Sequence, residues 1–136
     1  MRAYVPESLL LRRVLQANSA FSVISGVTLV AAAAPISRLF GVGQPAILIG
    51  VGVLLLAFAV GLFLNSRREA LNETEVVTAI AMDAAWVAGS IILIGLGVLS
   101  TAGNWAVAIL ADVVLLFAIL QAIGFRRVRR EKKVSG

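Results

Sequence analysis

The sequence predicts an all-α, polytopic membrane protein in which four transmembrane helices form two tandem helical hairpins within a single domain, 1–136. Three observations predict it. Of the 136 residues, 60% are hydrophobic and only 14% charged, with a mean hydropathy of +1.01, whereas soluble domains are nearer half apolar and about a quarter charged. The apolar residues fall into four runs of membrane-crossing length. The alternation of polar and apolar positions that marks a membrane barrel strand is missing, which favours helices over sheet.

The spans are read at about 14–34, 46–64, 76–99 and 105–125. At ~1.5 Å per residue these give roughly 28 to 36 Å of helix, which matches a ~30 Å hydrocarbon core. Pro6 suits the first turn of a helix, so the first helix is expected to begin near Glu7 and to lie partly in the interface before Arg12 and Arg13 mark the membrane surface. Pro35 and Pro45 bracket Ile36, Leu39 and Phe40, which predicts a short interfacial turn of helix between the first two spans. Asn72 and Glu75 have capping-box spacing, and Glu73 and Glu75 complement the positive end of the third span. Asn104 is placed to cap the fourth, and Trp105 reads as an interfacial anchor. Residues 126–136 form a basic cytoplasmic tail.

Arginine and lysine set the orientation. With four spans, Arg2, Arg12, Arg13, Arg67, Arg68 and the RRVRREKK run from Arg126 to Lys133 fall on one side, leaving Arg38 alone on the other. This predicts a multi-pass protein of the inner (plasma) membrane with both termini cytoplasmic. The basic run reads as a topology anchor, since juxtamembrane cations are drawn to the anionic leaflet without any further role, and no nucleic-acid partner is expected. The first apolar run exceeds the roughly 7 to 15 residues of a signal-peptide core, so its retention is expected. The Asn72-Glu73-Thr74 sequon has no consequence in a cytoplasmic loop.

An internal duplication is also expected. Shifting the third span back by 65 positions sets Asp83 on Asn18, Trp86 on Phe21 and Ser90 on Ser25. Shifting the fourth back by 59 sets Phe117 on Phe58 and Arg126-Arg127 on Arg67-Arg68. Both hairpins start on the same side, so the repeat is parallel, with its pseudo-twofold axis along the membrane normal.

Asp83 and Asp112 are the only acids inside the spans, and no Lys or Arg lies there to pair with them. An intramembrane acid is expensive, which makes both candidates. Such a group can shuttle a proton or serve as a neutral hydrogen-bonding clasp between helices. Asp83 and Ser90 share a face of the third span with Trp86 between them, and Asn18, Ser22 and Ser25 share a face of the first. If the last two spans pivot near Ala102, Gln121 comes level with Asp83. A polar cluster of Asn18, Ser22, Ser25, Asp83, Trp86, Ser90 and Gln121 is therefore expected, with the Trp86 N–H partnered beside Asp83 or Gln121. Asp112 is nine residues from Gln121 and points about 180° away, which directs it to a flank of the bundle. Together with Ala81, Ala85 and Gly89, small residues four apart, it forms the candidate interface with another chain.

With neither Cys nor His in the chain, thiol redox work, disulfides, imidazole catalysis and Cys or His metal sites are excluded. No catalytic constellation or phosphate-binding motif is legible, so no enzyme, metal or cofactor is expected. The partners expected are the lipid bilayer and either further copies or a larger membrane complex. Three functions follow, in this order: an accessory or structural subunit acting through helix–helix association, a proton-coupled small transporter or exporter using Asp83, and a binder of a quinone, carotenoid or lipid.

Overall fold

This computed structural model describes residues 8–67 and 73–135, with side chains over 9–67 and 73–130. The expected helix start at Pro6 and Glu7, the Asn72 cap and sequon, and the charges of Arg2, Arg68, Lys132 and Lys133 fall outside these residues. The described chain is all helical: α1 (Ser8–Ala31), α2 (Ala33–Phe40), α3 (Pro45–Ser66), α4 (Glu73–Gly95) and α5 (Thr101–Ser135). Four of these, α1, α3, α4 and α5, are long and apolar enough to cross a membrane.

Local chemistry sets most boundaries. Pro35 lacks an N–H for the carbonyl of Ala31 and its ring crowds that oxygen. There α1 stops and, after Ala32, the chain restarts as α2 with Pro35 in its first turn. Gly41, at a φ of 76°, closes α2: the Gly41 and Val42 N–H groups donate back to Arg38 O and Ser37 O, the paired reverse bonds of a left-handed helix end. Pro45 opens α3 at a position where a missing N–H costs nothing. Gly97, at a φ of 69°, turns the chain after α4.

Several boundaries differ from expectation: α1 ends at Ala31 rather than at 34, because Pro35 breaks it, and α4 ends at Gly95 rather than at 99, before the turn at Gly97. The cap of α5 is Ser100, whose Oγ accepts the Gly103 N–H at 3.0 Å. Asn104 therefore lies inside the first turn, and its Oδ1 is buried without a partner among the described residues. Ser100 wins because its short hydroxyl sits three residues before a free N–H, the spacing a cap requires. The basic tail is also helical, since α5 runs on to Ser135, and the Arg129 guanidinium lies 5.6 Å from the Phe125 ring one turn earlier.

Around the bundle the helices stand in the order α1, α3, α4, α5, with α1 diagonal to α4. The closest seam joins α1 to α3. Gly26 and Gly52 meet there so tightly that a Cβ on either would come within 2.8 Å of the other's carbonyl oxygen, and Ser19 Oγ donates to Ala59 O at 2.8 Å. The α4–α5 pair is the next most extensive, and α1 packs on α5 through Gly124 against Leu11 and Phe21 against Phe117. By contrast α3 barely touches α4. At the end carrying Arg12 and Arg67, the buried core of Leu11, Leu15, Leu62, Val76 and Ala79 closes the bundle. Arg12 Nη1 adds a 2.9 Å bond to the terminal α3 carbonyl of Ser66. At the opposite end α2 lies across the bundle, touching α1, α3 and α5. It is clasped to α5 by Ser100, whose N–H and Oγ donate to Phe40 O and Leu39 O.

Candidate functional site

Above the apolar plug, three buried polar side chains from three helices meet. Asn18 of α1, Asp83 of α4 and Gln121 of α5 are 1%, 4% and 0% exposed. Asn18 Nδ2 donates to Asp83 Oδ2 at 2.9 Å and to Gln121 Oε1 at 3.0 Å, while Gln121 Nε2 donates to the same Asp83 Oδ2 at 2.9 Å. Every pair in the triangle is thus bonded. Helix periodicity accounts for the faces: Asn18 follows Leu11 and Leu15 on the buried stripe of α1, and Gln121 follows Val114 and Ala118 on that of α5. Because α1 and α4 are diagonal, the Asn18–Asp83 bond spans the bundle centre. Ser22 extends the network weakly, its Oγ donating to Asn18 Oδ1 at 3.4 Å.

The bonding leaves an asymmetry on the carboxyl group. Both amide donors go to Asp83 Oδ2, and Oδ1 takes none among the described residues. Asp83 and Asn18 also form the floor of a cavity of about 490 Å³ that extends from the triad toward α2. Its walls are almost wholly apolar. The four aromatic side chains Phe21, Phe40, Phe58 and Trp86 stand around it, and Ile36 and Phe40 of α2 close its far end. On the α3–α4 side the wall is incomplete: the rim residues Leu54 and Met82 are 71% and 51% exposed. The volume lies within the ~300–1,000 Å³ range of pockets for drug-sized ligands.

The remaining candidates divide. Ser25 lines the cavity without a hydrogen bond among the described residues. Ser90 is buried, but its Oγ donates to Trp86 O one turn back in its own helix, so it does not join the triangle. Trp86 corrects the expectation made for its ring nitrogen. Nε1 is buried with no partner among the described residues, while the amides of Asn18 and Gln121 hold the Asp83 carboxyl group on the inner side of α4. Asp112 is exposed on the outer face of α5, and no described helix covers it. Ala81, Ala85 and Gly89 are exposed on α4, and a Cβ on Gly89 would meet nothing within 4 Å. Sequence reasoning passed over Ser19, Asn65 and Ser37, which are all buried. Their signal was available, since each lies on a helix face that is otherwise buried, but all three are short polar side chains near helix ends or seams. No group of three potential metal-ligating side chains gathers among the described residues.

No protein-family model, curated protein or solved structure matches the chain.

Proposed function

We propose that the chain is a multi-pass membrane protein whose bundle binds a lipophilic guest in the cavity above the Asn18–Asp83–Gln121 triangle. The observation that carries this reading is the cavity itself. A space of about 490 Å³, apolar along its length and polar at one end, complements a molecule with a hydrophobic body and one polar group. The gap between α3 and α4 would open that space sideways to lipid, the phase in which such a guest dissolves. The Lys and Arg bias supports an orientation with the plugged end cytoplasmic in the plasma membrane. The tandem-hairpin repeat belongs to the same reading. Asn18 and Asp83, the pair related by the 65-residue shift, bond across the centre, and the cavity opens where α3 and α4 depart from the close packing of α1 on α5. Proton-coupled transport would use the same cavity and would additionally require the Leu11–Val76 plug to part.

The test is binding of N-phenyl-1-naphthylamine, a neutral apolar fluorophore, to the purified full chain in nanodiscs, with empty nanodiscs subtracted. Ser25→Phe, which places a ring in the cavity, should abolish saturable binding. Gly61→Ala, on an open face, should leave it unchanged. Equal binding by the parent and Ser25→Phe would sink the reading.

A second reading, an accessory subunit docking on a further copy or on a larger complex, is favoured by one observation. Asp112 is exposed in the middle of an apolar helix, where lipid tails offer its carboxyl no hydrogen bond.

A further inference from the structure

We propose that the guest of the cavity is a lipophilic cation, such as a hydrophobic amine or quaternary onium, received by Asp83 Oδ1. The inference rests on the lipophile-binding reading and adds the charge of the ligand. Among the described residues that line the cavity, Asp83 is the only one whose side chain can carry charge. No arginine lines the cavity among the described residues: Arg12 bonds Ser66 O at the plugged end, and Arg38 lies exposed on α2. An acid in an apolar space is stabilised by a partner of opposite charge, and the described residues that line the cavity supply none.

The triangle is arranged to present that acid. Asn18 and Gln121 are neutral amides, and both donate to Oδ2. They orient the carboxyl group and stabilise its negative charge without neutralising it, and they leave Oδ1, on a residue that lines the cavity, with no donor among the described residues. A neutral guest would be served as well by an amide in place of the acid. The walls add a second preference for positive charge. Phe21, Phe40, Phe58 and Trp86 surround the space, and aromatic faces attract a desolvated cation through their quadrupoles. A single carboxylate within an aromatic, otherwise apolar chamber thus complements an organic cation and repels an anion of the same shape.

Two ions of equal size and opposite charge test this on the intact chain in nanodiscs, with empty nanodiscs subtracted: tetraphenylphosphonium and tetraphenylborate. Equilibrium dialysis of the parent should show tetraphenylphosphonium binding at least about tenfold more tightly than tetraphenylborate, since both the carboxylate and the aromatic walls discriminate. Asp83→Asn, which keeps the shape of the triangle, should remove most of that preference while still binding the neutral naphthylamine probe. If Asp83→Asn does not fold, the preference of the parent decides alone. Tetraphenylborate bound as tightly as tetraphenylphosphonium, or a preference unchanged in a folded Asp83→Asn, overturns the cation assignment. Retained naphthylamine binding in that event leaves the lipophile reading standing, whereas loss of both kinds of binding in the parent defeats both.

Discussion

Asn18 serves two acceptors through one amide nitrogen, so its removal leaves Gln121 Oε1 without a donor and Asp83 Oδ2 with Gln121 Nε2 alone. Interhelical hydrogen bonds of this kind are worth about 1 kcal/mol, and a buried group left unmet costs about 1–3 kcal/mol. We expect Asn18→Leu to lower stability by about 2 kcal/mol in reversible unfolding from mixed micelles. The double variant with Gln121→Leu should cost less than the sum of the single ones, because the two share a network. Strict additivity would mean that the triangle is not an energetic unit. Asp112 behaves differently, because it is exposed among the described residues. If it docks on another chain, Asp112→Asn should keep the assembly, while Asp112→Leu should weaken it by about 1 kcal/mol. Cross-linking in native membranes reads the outcome, and equal assembly by the parent and both variants speaks against docking there.

Among the elements, the α1–α3 seam is the most demanding contact. Gly26 and Gly52 face each other's carbonyls at a distance that admits no Cβ, so Gly26→Ala must push the helices apart. Overpacking of this kind costs about 1–3 kcal/mol. Gly61→Ala, with nothing within 4 Å, should be neutral or slightly stabilising through helix propensity. Comparable losses in both would mean that the seam is looser than described. Ser100 is the other control point, capping α5 and tying down α2 with the same residue. Ser100→Ala should cost about 1 kcal/mol, the scale of a lost cap. It should also speed hydrogen exchange in α2 beyond that in α3, and unchanged exchange in α2 would show that Phe40 and Gly103 hold it unaided. Much at this scale was legible beforehand. Pro35, Pro45 and the intervening apolar residues announced a short helix between the first two spans, because proline acts within four residues of itself. The cap of α5 was misread because Ser100 and Asn104 are both competent residues. Which one precedes the first helical turn depends on where the turn after Gly97 releases the chain.

For the whole molecule, the topology is open to direct test. Arg67→Cys should label from the cytoplasmic side and Thr101→Cys from outside, as the positive-inside bias requires. Labelling of position 101 from the cytoplasmic side alone would invert or abolish the four-span arrangement. Within that frame, the sequence by itself determined the helical class, the number of long apolar helices, and the depth and face of Asn18, Asp83 and Gln121. Hydropathy, helical rise and the 100° turn per residue are local properties that accumulate along one helix without reference to the others. Only the tertiary structure decided which side of the bundle stays open. The Gly26–Gly52 approach draws α3 toward α1, and the triangle draws α4 and α5 toward the same helix. Among the described residues, no comparable contact joins α3 to α4. That imbalance leaves room for the cavity that Asp83 and Trp86 line. The separation of two helices distant in sequence depends on how side chains interlock across the whole bundle, and no window of residues carries that information.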